Sequence, residues 1–126
     1  MDSVVHFEIP AKDVKRASTF YKSAFGWQFN QYPGLDYWMV GTTISDKNGQ
    51  PTTPGAINGG MGKSGGALKV PTVTIKVADI DKTLDSVKKL GGKVAGKKNP
   101  VGDMSFTAYF TDTEGNRAGM LQPVMK

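Results

Sequence analysis

The chain has 126 residues, the size of one domain and too short for two independent ones. Hydrophobic residues make up 38% and include six Phe, four Tyr and two Trp, enough for a packed core. The 16 Lys+Arg exceed the 11 Asp+Glu, but 14 of them are dispersed lysines and only Arg16 and Arg117 offer a two-pronged fork, so no nucleic-acid partner is expected.

The opening residues carry no basic leader ahead of an apolar run, and no apolar stretch approaches the roughly 20 residues that span a bilayer. There is no cysteine for a disulfide framework. These features predict a cytoplasmic protein with no membrane partner.

In chain order, Val4 to Ile9 alternates as a strand does. Asp13 then precedes an apolar helical stripe of Val14, Ala17, Phe20/Tyr21 and Ala24, where its carboxylate can accept a first-turn N–H. Gly26 stands where a left-handed stop suits glycine. Strand-like runs follow at 27–32, 35–44 and 55–61, the last after a loop over 45–54. A joint at 63–69, KSGGALK, closes this stretch. Val73 to Val77 alternates again, Asp79 precedes the stripe Ile80, Leu84, Val87 and Leu90, and Gly91-Gly92 ends it. Further strand-like runs lie at 93–95 (or as far as 98), 104–111 and 116–122. The turn between the last two is Asp112-Thr113-Glu114-Gly115-Asn116.

The chain therefore repeats itself at an offset of 66 residues. Residues 6–28 lie without a gap on 72–94, with identities Ile9/Ile75, Asp13/Asp79, Lys22/Lys88 and Gly26/Gly92. Each matched residue does the same structural work in both copies. The expectation is an α+β chain of two tandem β-α-β-β-β modules, the first over about 1–62 and the second over about 70–126. Neither module could bury its apolar sheet face alone, so the two should combine, in one chain or across a dimer.

The opening run VVHFEIPAKDVKRASTFYKSAFGW resembles the first module of glyoxalase I-like and bleomycin-resistance-like proteins, the vicinal oxygen chelate superfamily. The run from Tyr109 to Asn116 is similar to that family's F-x-D-P-E-G-N turn, with Thr113 in place of the proline. The resemblance implies a single domain with a cup-shaped, partly closed mixed sheet, helices outside, and a homodimer. It also implies a divalent metal held by His or Glu side chains from the first and last strands of each module. Carried over residue by residue, those positions fall on His6, on the 55–61 run with Asn58 as its best occupant, on Thr72 and on Gly119. Only His6 is a competent ligand, and no acidic residue lies between Asp46 and Asp79 or after Glu114. No metal and no other cofactor is therefore expected.

His6 and Glu8 alternate onto one face of the first strand and could form a hydrogen-bonded pair that raises the imidazole's proton affinity, as an acid/base couple or a polar anchor. The candidate ligand-binding residues are His6, Glu8, Trp38, Asn58, Thr72, Thr74, Phe106 and Gln122, with His6 and Glu8 also the catalytic candidates. Alternation leaves open which parity of Tyr37, Trp38 and Met39, and of Met104, Phe106 and Tyr109, faces inward. Gly55, Gly59, Gly60 and Gly62 mark a bulge or the close approach of a ligand or second chain. No phosphate-loop spacing, nucleophile elbow or cysteine nucleophile is present.

The leading expectation is a glyoxalase-like protein that binds a neutral or anionic small molecule without the metal. One alternative is a metal-dependent lyase, isomerase or dioxygenase of the same superfamily. Another is a drug-sequestering resistance protein, which a formal charge of +5 disfavours for cationic drugs.

Overall fold

The computed structural model describes residues 1–65 and 68–124. Its first elements are β1 (Val4–Ala11), α1 (Val14–Phe25), β2 (Gln28–Gln31), β3 (Tyr37–Gly41) and β4 (Gly59–Lys63). They are followed by β5 (Thr72–Lys76), α2 (Ile80–Lys89), β6 (Lys93–Val94), β7 (Asn99–Val101), β8 (Ser105–Thr111) and β9 (Arg117–Pro123). The repeated β-α-β-β-β order of an α+β protein is present, with β7 as an addition the sequence pattern did not show. That short strand pairs only with β8, and Pro100 in its middle suits an edge position that needs no further donor.

The chain divides into two compact units, His6–Pro71 and Met1–Val5 together with Thr72 onward. The first few residues group with the second unit, where the Lys76 N–H donates to the Ser3 carbonyl at 2.9 Å. Within the first unit the strand order is β2-β3-β4-β1, antiparallel except for the parallel β1–β4 pair. Within the second it is β5-β9-β8-β6, antiparallel except for the parallel β5–β9 pair. In both, the first strand pairs in parallel with the last. Lys63, expected to begin the joint, is the last residue of β4, and Gly65 and Leu68 exchange two backbone hydrogen bonds across the middle of it. Gly66 and Ala67 of that joint lie outside the described residues.

The capping expectations hold at atomic level. The Asp13 carboxylate accepts the Arg16 N–H at 3.0 Å, and that of Asp79 accepts the Lys82 N–H at 3.1 Å. Gly26 takes φ 75° at the end of α1. After α2 the expected match of Gly92 with Gly26 fails, because the left-handed residue is Gly91 and Gly92 serves close packing. Gly91 takes φ 100°, whereas a Cβ on Gly92 would lie 2.7 Å from Val87 Cγ1 and 2.8 Å from the Thr111 carbonyl oxygen.

Each helix covers one face of its own strands. Ala11, Val14, Val40 and Met61 form the buried cluster of the first unit, with Phe7, Ile9, Ala17, Tyr21 and Trp38 packed against it. Val77, Ile80, Ala108 and Met120 form that of the second, joined by Ile75, Leu84, Phe106 and Phe110. The backbone contact at Gly92 leaves no side chain free to give way, so Gly92→Ala should lose about 1–3 kcal/mol of stability, read as a lower urea midpoint at unchanged slope.

Candidate functional site

Since Phe7, Ile9 and Ala11 pack toward α1, strand alternation sends His6 and Glu8 to the opposite face of β1. Glu8 is only 8% exposed there. Its neighbour across the parallel pairing is Gly60, and Met39 of β3 pairs with Gly60 from the other side. The Tyr37 hydroxyl lies directly over Gly60 and sits 3.2 Å from His6 Nε2. A Cβ at Gly60 would overlap that hydroxyl, so glycine is what lets tyrosine reach across β4 to the histidine. Gly59 does the same on the helix side, where the Phe7 ring occupies the space. At Gly59 and Gly60 the close approach is therefore by this chain's own Phe7 and Tyr37, a correction to the expected ligand or second chain.

Burial holds the His6 imidazole below its ordinary 6.5, and the nearby Glu8 charge opposes this without reversing it. The expected rise in proton affinity is therefore corrected: desolvation outweighs the carboxylate. The imidazole is neutral at pH 7, and its Nε2 is engaged with the Tyr37 hydroxyl. Such a group can accept or donate one hydrogen bond to an uncharged ligand, with Met39, 45% exposed on the same face, as an adaptable apolar contact.

The remaining candidates divide. Trp38 pairs with Met61 and packs against the helix-side cluster, so Tyr37 and Met39 have the outward parity instead. Asn58 fastens the backbone: its oxygen accepts the Thr42 N–H at 2.9 Å and its amide donates to Ser45 Oγ at 2.8 Å. In the second unit, Thr72 and Thr74 are buried on the face of β5 opposite Ile75 and α2. Phe106 belongs to the helix-side core, with Lys98 Nζ 4.9 Å from its ring centroid. Gln122 Oε1 accepts the Ile80 N–H at 2.8 Å, satisfying a first-turn donor of α2 beside the Asp79 cap. Trp38, Phe106 and Gln122 are thus withdrawn from the predicted lining. Tyr37 was the residue missed, and the sequence signal was a tyrosine one strand away from a strand glycine.

A duplicated β-α-β-β-β unit whose first strand lies parallel to its last defines the glyoxalase, bleomycin-resistance and dioxygenase superfamily. Residues 3–43 match the family profile described as bleomycin resistance protein-like N-terminal. A glyoxylase-like domain-containing protein of Didymella fabae is 36% identical over 114 residues, 86% of this chain and 84% of that protein. The chain belongs to the glyoxalase-like family. Solved structures with the same fold include a superfamily member from Vibrio splendidus 12B01, with 12% identity, coverage of 98% of this chain and 100% of that one, and TM-score 0.62. A methylmalonyl-CoA epimerase of Streptomyces coelicolor in complex with 2-nitronate-propionyl-CoA has 14% identity, 97% coverage of both chains and TM-score 0.63.

The donors at the family's metal positions do not make a metal set. His6 Nε2 is bonded to Tyr37, both ends of the Asn58 amide are engaged, and Thr72 offers only a neutral hydroxyl. At Gly119, an added Cβ would already lie 3.1 Å from Tyr109 Cε1 and 3.2 Å from Thr74 Oγ1. Among the described residues, no group of three or more His, Cys, Asp or Glu side chains could hold an ion.

His6 is the only histidine, so its titration can be isolated. With its folded pKa below 6.5, the unfolded chain takes up the proton first as pH falls. The stability tied to the neutral imidazole is therefore complete above that value and is lost below it. Denaturation between about pH 7.5 and 5 should show the wild type losing more stability than His6→Gln; parallel profiles would refute this.

Proposed function

We propose that this chain is a small-molecule-binding member of the glyoxalase-like family that works without the family's divalent metal. Its ligand is compact and neutral or anionic, and it contacts the face of the first unit that carries His6, Tyr37 and Met39. The observation that carries this reading is the His6–Tyr37 hydrogen bond over Gly60. It ties one nitrogen of the chain's only imidazole to a neutral hydroxyl. A half-buried pair of neutral polar groups beside an exposed methionine matches the usual make-up of a ligand site, in which few polar groups fix orientation and apolar surface supplies affinity. A cytoplasmic setting and a homodimer belong to the same proposal. They rest on the absence of cysteine and on family membership respectively, and light scattering decides the second.

Two measurements test the proposal. Protein produced in medium supplemented with Zn, Ni, Mn and Fe should carry far less than one ion per chain by plasma mass spectrometry; stoichiometric metal rejects it. A melting-temperature screen against a metabolite and antibiotic library should yield ligands that stabilise the wild type. Their effect should shrink in Tyr37→Phe, which itself costs only about 0.5–1.5 kcal/mol of folding stability. Ligands that stabilise both proteins equally would place binding elsewhere.

A further inference from the structure

Arg117 is one of only two arginines in the chain, and the reading above leaves it unused. It opens β9 opposite Thr111 of β8, and Thr111 in turn opposes Lys93 of β6. Met120, Ala108, Phe106 and Phe110 pack toward the core under α2. Alternation therefore places Arg117, Tyr109, Thr111 and Lys93 together on the other face of this unit. There the guanidinium carbon lies 4.4 Å from the centroid of the Tyr109 ring. Its cross-strand partner is Gly119, where an added Cβ would press on the ring at 3.1 Å.

The arginine's surroundings are unusual in charge. Its Nε is buried with no hydrogen-bond partner, and no carboxylate among the described residues pairs with the guanidinium. The strands β5 to β9 contain no Asp or Glu at all, whereas they carry Lys76, Lys93 and Arg117. Asp112, the acid next to Thr111 in the chain, has its carboxylate taken up by the N–H groups of Glu114 and Asn116 and the Asn116 amide. A buried polar edge left unpaired is costly, and stacking on a tyrosine holds the planar fork in one orientation before anything binds. With no acidic side chain on these strands to compete for the guanidinium, an anion is the partner this face favours.

We propose that this face of the second unit is a binding site for the oxyanion of a small ligand, a carboxylate or a phosphate. Arg117 provides the paired N–H donors, and Lys93, two strands and so about 10 Å away between Cα atoms, adds a supporting charge. The site lies within one unit and does not depend on the reading of His6 and Tyr37.

The test uses 15N-labelled full-length protein. Its two arginine Nε–H signals are assigned with Arg16→Lys, and inorganic phosphate and succinate are titrated separately. The Arg117 signal should move saturably with at least one probe while that of Arg16 stays still. Response to phosphate alone, to succinate alone or to both identifies which oxyanion the site takes. Arg117→Lys keeps the charge but lacks the fork, and should weaken binding at least about tenfold. Lys93→Met should weaken it about two- to threefold. Signals that drift together without saturation, no response of the Arg117 signal to either probe, or undiminished binding by a folded Arg117→Lys would each overturn the proposal. Should Arg117→Lys unfold, the wild-type titration with Lys93→Met still decides.

Discussion

Strand alternation beneath a single capped helix is the constraint on which each unit depends. Once Phe7, Ile9 and Ala11 are committed to α1, and Ile75 and Val77 to α2, the opposite parity of β1 and β5 is set with no freedom left. That released parity is polar in both copies. Among the described residues, Glu8 in the first unit and Thr72 and Thr74 in the second are buried polar side chains of that parity. A slip of one residue in either strand would exchange core and site completely.

The two units also share a device that the bare repeat does not display. In each, a glycine of the last strand lies under a tyrosine from the strand before it: Gly60 under Tyr37, and Gly119 beside Tyr109. Each tyrosine then engages one polar side chain of its own unit. Tyr37 reaches His6 through its hydroxyl, and Tyr109 carries Arg117 on its ring. The glycine leaves full room for the ring at Gly60 and eases its packing at Gly119.

Electrostatics differs between the two faces. In the first unit, burial dominates a single nearby carboxylate and keeps the imidazole neutral, which suits hydrogen bonding to an uncharged group. In the second, the strands hold cations and no acids, and the surface favours an anion. The chain's formal charge of +5 describes neither situation, since it averages over dispersed lysines that belong to solvent.

Periodicity and capping were legible in the sequence because they are local. Asp13 and Asp79 announce helices by chemistry confined to one turn, Gly26 ends one by backbone freedom, and the 66-residue offset ties both copies together. The same reasoning placed His6 and Glu8 on one face of β1. Parity in β3, β8 and β9 was not legible, because runs such as Tyr37-Trp38-Met39 are apolar on both sides, and only pairing to a neighbour assigns a face. Trp38, Phe106 and Gln122 consequently went to the helix side, where packing and an unpaired helix N–H claimed them. The roles of Tyr37 and Arg117 belong wholly to tertiary structure. Tyr37 depends on Gly60 of the adjacent strand, and Arg117 on the Tyr109 ring of the adjacent strand, and nothing in the linear order says which residues will meet across the pairing.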